Sequence, residues 1–255
     1  MIDVTPRPAA SPRIRRVLAH ARLELTMLIR NGEQLLLTVV LPVGLLLVLT
    51  LTEIIDVGGA TRVERLGLVV PSMFALAVLS TSFTALAIQT GFERRYGVLR
   101  RIGTTPLSRF DILSGKAIAV LAIEAAQVIA LGVLGFALGW RPDPIGLLLV
   151  VPLVLLGSAT LASLALLLAG VVRAEATLAV ANLAYLVLAS AGVVVPVAKA
   201  PSNVQPILDL LPSAALAESL RIATITGGVD WSLIAVLVMW GIVGSAAVGR
   251  WFRWD

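Results

Sequence analysis

The sequence predicts an all-α, polytopic membrane protein with six transmembrane helices. Three observations carry that prediction: an excess of apolar residues, their arrangement in blocks of membrane-crossing length, and an uneven distribution of arginine between the blocks. Of the 255 residues, 58% are hydrophobic and 14% charged, with a mean hydropathy of +0.99. A soluble domain has about 45–50% apolar and about 25% charged residues. The excess lies in blocks of roughly twenty residues, the length an α-helix needs to cross a bilayer core. The ten-residue alternating segments of a β-barrel are missing from the pattern.

Residues 1–33 read as a cytoplasmic arm. Residues 1–12 carry three prolines and read as a disordered lead-in. Then Ile14, Val17, Leu18, Ala21, Leu25 and Leu28 recur as a single helical stripe. Arg13, Arg15, Arg16, Arg22 and Glu24 are assigned to the other faces. Such a helix lies in the headgroup layer with its apolar side down, or packs as a cytoplasmic helix. His20, the chain's one histidine, reads as a headgroup-facing polar residue. The first 33 residues hold no apolar core of signal-peptide length.

Residues 34–255 form the membrane domain. The spans read as Gln34–Thr52, Leu66–Thr90, Ile112–Gly139, Ile145–Val172, Ala176–Val197 and Trp231–Gly249. The turn Trp140–Pro144 joins the third and fourth, and Arg173–Glu175 joins the fourth and fifth. Connections this short require antiparallel neighbours. Orientation follows from Lys/Arg placement. Fifteen of the twenty lie in the arm, the second-to-third connection, Arg173 and the tail. The other five are Arg62, Arg65, Arg141, Lys199 and Arg221. Positive charge stays on the cytoplasmic side, so both termini are expected there, in a plasma-membrane protein. The net charge of +5 is read as these arginine-rich loops rather than as a nucleic-acid surface.

Little in the chain supports catalysis. There is no cysteine, which removes disulfides, thiolate metal sites and cysteine nucleophiles. Ser114–Lys116 ends like a phosphate loop, but Phe110 and Ala117 stand where that pattern needs glycine and Ser/Thr. Glu124 falls near the middle of the third span, with Gln127 one turn later on the same face. A carboxylate at that depth must face a cavity, a partner or the bundle interior. It is either a contact in a substrate path or helix–helix glue. Asn182 reads as glue. Gly135 and Gly139, and Gly241, Ser245 and Gly249, recur at four-residue spacing that permits close helix approach. The connection Lys199–Asp230 is too long for a turn. Leu216, Leu220 and Ala223 mark one side of a short helix in it, and Glu218 and Arg221 the polar side. It is an interfacial helix or a re-entrant hairpin.

The most informative stretch is Phe92–Lys116, FERRYGVLRRIGTTPLSRFDILSGK, the one long charged amphipathic segment between two strongly apolar spans. Phe92, Tyr96, Leu99 and Ile102 form a stripe suited to an apolar groove. Arg94, Arg95, Arg100 and Arg101 are placed to pair with acidic groups or lipid phosphates. Thr105-Pro106 ends the short helix, because a residue before proline avoids the α region. This segment points to a soluble partner on the cytoplasmic side.

Taken with the arm leading into LIRNGEQLLLTVVLPVGLLLVL (Leu28–Leu49) and with LPSAALAESLR (Leu211–Arg221), that stretch resembles the permease subunit of type-2 ATP-binding-cassette (ABC) exporters. That group includes drug-resistance, polyketide-antibiotic and lipid exporters. The likeness runs over essentially the whole chain and is most specific at E-R-x-x-G-x-L-x-R-x-x-x-T-P-L. Ile102 departs from it where leucine is expected. The resemblance implies that the arm is a connecting helix, that Phe92–Thr105 is a coupling helix docked on the ATPase, and that Ser202–Thr226 forms re-entrant outer helices. It carries motif roles onto Glu93, Arg94, Gly97, Leu99, Thr105, Pro106 and Leu107; the first six of these with Phe92, Tyr96 and Arg100 make up the expected ATPase-coupling site. It implies a second permease chain, identical or homologous, and separate ATPase subunits that carry the ATP and magnesium. This chain needs no cofactor and is not itself an enzyme. The expected cargo is a hydrophobic or amphiphilic drug or lipid. The rival readings are an ion-coupled secondary transporter and a membrane-embedded lipid-modifying enzyme. The first would show several intramembrane charges, the second paired catalytic groups at one depth.

Overall fold

The computed structural model describes residues 11–30, 32, 39–52, 57–59, 61–102 and 104–252, the Leu99 side chain aside. Ten α-helices account for most of them: α1 Arg13–Arg30, α2 Leu41–Leu51, α3 Arg62–Arg95, α4 Val98–Ile102, α5 Arg109–Leu138, α6 Pro144–Val171, α7 Ala174–Leu188, α8 Gln205–Asp209, α9 Pro212–Thr226 and α10 Trp231–Trp251. Five are long and apolar enough to cross a membrane: α3, α5, α6, α7 with its extension to Val193, and α10. The expected first span coincides with α2, which is 11 residues long. Part of that span, residues 34–38, lies outside the described residues.

Helix boundaries follow local chemistry. Ser108 and Asp111 form a reciprocal capping box at the start of α5. Asp143 caps α6 ahead of Pro144, and Asp230 caps α10. Gly139 and Gly227 take the left-handed conformation that ends α5 and α9, at φ 105° and 68°. Gly139 is therefore a terminator and not a packing glycine. The expected fifth span also stops short, because Ala191 and Gly192 leave helical geometry before Val197.

α3 is the central element, buried almost along its length from Leu66 to Ala87. It contains a stretch of wider π-helical turns, Leu79–Ala85, that carries Ser80, Thr81, Ser82 and Thr84. α5 and α6 lean on it, α9 lies between its first half and α6, and α10 closes the far side of α6. α3 and α5 are antiparallel: Phe74 meets Trp140 edge-on at 5.8 Å, while Ser82 meets Glu124. The start of α3, end of α5 and start of α6 thus share one end. The arm, α4, the start of α5 and the end of α10 share the other, which holds Arg13, Arg94, Arg100, Arg101 and Arg250.

α9 runs antiparallel to α6 at very short range. Gly146 faces the Ala223–Thr224 backbone, and a methyl at Gly157 would come within 2.5 Å of Leu216. These glycines are eleven residues apart, about 16 Å along the helix. α9 therefore starts deep inside the bundle and climbs back to the end where α6 begins. Leu210, just before it, accepts a hydrogen bond from Trp240 Nε1 at 2.8 Å, nine residues into α10. Arg221, assigned from sequence to an exposed polar side, is 1% exposed. It donates to Ser72 Oγ at 2.8 and 3.1 Å and to the carbonyls of Gly192 and Val193, satisfying the frayed end of α7. Glu218 completes its shell at 2.9 Å.

Candidate functional site

α3 ends in three consecutive charged residues, each bound to a different helix. Glu93 accepts from Lys116 Nζ of α5 at 2.8 Å. Arg94 donates to the carbonyls of Gly170, at the C-terminus of α6, and of Val172 just beyond it, the second at 2.8 Å. Those are carbonyls that a helix end leaves without a partner, and a cation there also complements the helix dipole. Arg95 pairs with Glu175 in the first turn of α7. Arg94 is thus committed inside the chain and not to an outside acid or phosphate.

The same end grips the arm. Lys116 Nζ also contacts both oxygens of Glu24, at 2.9 and 3.0 Å, and Gln89 donates to Glu24 and Glu93 at 2.5 and 2.9 Å. His20 Nε2 lies 3.2 Å from Glu24. His20 and Glu24, read from sequence as surface polar residues, are buried. The packed stripe is Val17, His20, Ala21, Glu24, Leu25 and Leu28, rotated away from the expected one, and Ile14 and Leu18 are left exposed. The apolar count alone placed the stripe wrongly because α5 offers a cation at Lys116 and a notch at Gly115, where any side chain would strike the His20 ring. Arg13 fixes the arm's first turn to Asp111 at 2.6 Å.

Beyond Arg95 the chain turns at Tyr96 and Gly97, where Gly97 takes φ 67°, and runs into α4. Tyr96 stacks on Phe92 with ring centroids 6.0 Å apart and is 64% exposed. Arg100, Thr105 and Pro106 are exposed; Phe92 and Ile102 are half-buried. The Leu99 side chain lies outside the described residues. α4 ends at Ile102, before Thr105-Pro106, so the proline does not itself terminate it. The expected coupling residues thus divide in two. Glu93 and Arg94 form an internal anchor, and Tyr96, Arg100, Thr105 and Pro106 form an exposed tip.

The second cluster lies at mid-bundle. Glu124 is fully buried, and its two carboxyl oxygens accept from Ser82 Oγ of α3, at 2.6 Å, and from Ser158 Oγ of α6. Thr81 Oγ1 donates to Gln127 Oε1 at 3.0 Å. The π-helical turns place the adjacent Thr81 and Ser82 opposite two α5 side chains one turn apart. Sequence reading found Glu124 and Gln127 but not their partners, since serine and threonine in an apolar span give no periodic signal. Of the glycines in the expected small-residue pattern of α10, Gly241 meets Thr160 of α6 and Gly249 meets open space; Gly244, outside that pattern, meets Ser163.

Burial holds His20 below its ordinary value of 6.5, reinforced by the Lys116 ammonium. Burial pushes the Glu24 carboxyl up, against the pull of Lys116. A family model described as "ABC-2 family transporter protein" matches residues 57–249, which contain both clusters apart from the arm. No curated protein matches the chain.

Lys116→Met leaves two buried carboxylates facing each other and should cost about 3 kcal/mol, the scale of breaking a buried ion pair. Thermal unfolding should read that loss, and limited proteolysis should show the arm released; Lys116→Met with Glu93→Gln should recover part of it. A second expectation concerns pH. A buried neutral histidine takes up no proton as pH falls through 6.5, while the unfolded chain does, so its contribution to stability falls with pH. Glu24 acts in the opposite sense, gaining stability as pH falls toward 4.5. His20→Gln isolates the histidine: the stability advantage of the parent over this variant should shrink from about one unit above 6.5 to about one unit below it. A constant difference would show that His20 titrates normally.

Proposed function

The chain belongs to the ABC-2 family of transporter proteins, and on that premise we propose that it is the membrane permease of an exporter powered by ATP hydrolysed on separate cytoplasmic subunits. The observation that carries this reading is the exposed tip on a fixed base. Tyr96 and the arginines of α4 project from the arginine-rich end with their apolar and cationic groups uncovered. The base they stand on is tied to α5, α6 and α7 through Glu93, Arg94 and Arg95. A force applied to the tip by a docked ATPase therefore moves three spans together and does not bend a loop. No bond in the cargo need change; the chain's work is a change in the angle of its helices.

Several further assignments belong to this reading. The arginine-rich end is cytoplasmic, as the bias in positive charge requires. Arg65 donates to the Thr52 carbonyl at 3.0 Å, which puts Thr52 at the opposite end from the arm and supports a sixth crossing between them. α8 and α9 then form a re-entrant pair on the outer side, with α9 starting at mid-depth packed against α6 and α10. A second permease chain completes the pathway, and the cargo is hydrophobic or amphiphilic.

Tyr96→Asp puts a charge into the proposed docking face without touching the anchor. The variant should reach the membrane in normal amount, while substrate-stimulated ATPase activity of the complex falls by at least about tenfold, the effect of a lost contact worth about 1.4 kcal/mol. Undiminished stimulation would remove the tip from coupling. Orientation is open to direct measurement, because the chain has no native cysteine. Cysteines at Thr61 and Ser202 should react with a membrane-impermeant thiol reagent on intact cells, and one at Ser108 should not. Labelling at Ser108 would invert the topology.

A further inference from the structure

We propose that the groove between α5 and α6 binds a hydrophobic primary amine in its protonated form, with the ammonium group on the hydroxyl oxygen of Ser158 and Ser82 in the layer beneath it. The assignment deepens the exporter reading by naming a cargo class and its seat, and it rests on that reading only in calling the ligand cargo.

The groove exists because α5 and α6, though joined by a short turn, lean on α3 at different places and diverge toward the arginine-rich end. It holds about 280 Å³, near the low end for small-molecule pockets. Leu113, Val120 and Leu121 of α5 face Leu155, Ala159 and Ala162 of α6, and Ser82 and Leu86 of α3 form the floor. Ala117, Leu155, Ala159 and Ser245 are exposed, so the mouth opens sideways from the bundle, where an apolar molecule in hydrocarbon can enter. The size and the walls suit one alkyl chain or one ring system.

The polar groups select the ligand's head. Ser82 and Ser158 both line the groove, and both spend their hydrogen on Glu124. Their remaining lone pairs can only accept. Ser163, also in the lining, spends its hydrogen on the Thr160 carbonyl at 2.7 Å. Lys116 closes the inner end with its ammonium held by Glu24 and Glu93, so it offers an anion little. Away from Ser245, whose hydroxyl stands at the exposed mouth, the groove thus presents acceptors to its occupant. Behind two of them stands Glu124, fully buried, whose two oxygens meet hydroxyls and, among the described residues, no cation. A carboxylate so placed lacks a countercharge. An ammonium on Ser158 supplies one across a single layer of hydroxyls, and its N–H groups match the free lone pairs. Gln127, which accepts from Thr81, is not in the lining and takes no part.

The test uses the purified full chain in lipid nanodiscs and, as probe, dodecylamine bearing a photoreactive diazirine on a chain carbon close to the amine. Irradiation should label α5 near Val120 and Leu121 and α6 near Leu155 and Ala159. Dodecylamine should displace the probe. Dodecyltrimethylammonium, which keeps the charge but has no N–H, and dodecyl sulfate should each be at least about tenfold weaker competitors, the scale of one hydrogen bond to a charged group. Glu124→Gln and Ser158→Ala should each weaken labelling about tenfold, and Ala162→Phe should abolish it by filling the groove. Should Glu124→Gln fail to fold, Ser158→Ala decides, because it removes one hydroxyl from a helix otherwise unchanged. Labelling elsewhere, equal competition by the trimethylammonium compound, or undiminished labelling in Ser158→Ala and Ala162→Phe would overturn the proposal. Labelling as described, without ATP-dependent export of the amine by the complex reconstituted with its ATPase, would support the site and count against the exporter reading.

Discussion

Three adjacent side chains at the end of α3 determine how the rest of the molecule is held. Glu93, Arg94 and Arg95 leave one helical turn in three directions and reach α5, the end of α6 and the start of α7. Without them the ends of these helices beside the arm would be held mainly by apolar contacts, which in hydrocarbon give little preference for one arrangement over another. The buried part of this anchor, Lys116 between Glu24 and Glu93, is weak evidence for net stability. Desolvating three charges costs about as much as their attraction returns, whereas removing one partner is strongly destabilising. Its consequence is specificity. The arm, α3 and α5 fit together in one register, and the exposed tip beyond Gly97 inherits a fixed base.

The other half of the bundle obeys the same constraint by different means. Backbone polar groups remote from water, and buried charged or amide side chains, must find partners inside the protein. Glu124 and Gln127 do so through hydroxyls on the π-helical turns of α3 and on α6. The end of α7, unwound at Ala191 and Gly192, does so through Arg221. That guanidinium is what allows α9 to begin at mid-depth: its planar fork spans Ser72 on α3 and two α7 carbonyls at once, a geometry an ammonium could not reproduce. The glycines at 146 and 157 supply the room. Polar satisfaction and close packing are therefore coupled, since moving α9 outward would free the Arg221 donors and the α7 carbonyls together.

The two clusters share a helix face. Lys116 and Glu124 lie eight residues apart on α5, about 12 Å, and the groove runs between them along α3 and α6. Motion of the anchored inner ends would change the width of this groove directly, because Lys116 closes one end of it and belongs to the anchor. Lys116 thus belongs both to the anchor beneath the exposed tip and to the lining of the groove at mid-bundle.

The apolar blocks were decided by the sequence alone. Twenty-residue runs of Leu, Val and Ala have one solution in a bilayer, so the helix class and the limits of α3, α5, α6 and α10 could be read to within a few residues. The structure shows α5, α6 and α10 capped by Ser108, Asp143 and Asp230, each within a few residues of the groups it satisfies. The charge bias and the Phe92–Lys116 segment marked one end as different. What the sequence could not decide was which way each polar side chain turns. Arg94 and Arg100 are one residue type in one short segment, yet the first is bound to the end of α6 and the second is exposed. His20, Glu24 and Arg221 looked like surface residues and are buried. Their partners lie tens of residues away, on helices whose azimuth no local period encodes. Only the tertiary structure brought Lys116 to Glu24, and Ser82 and Ser158 to Glu124, because a hydrogen bond needs two groups at one point and the sequence records one at a time.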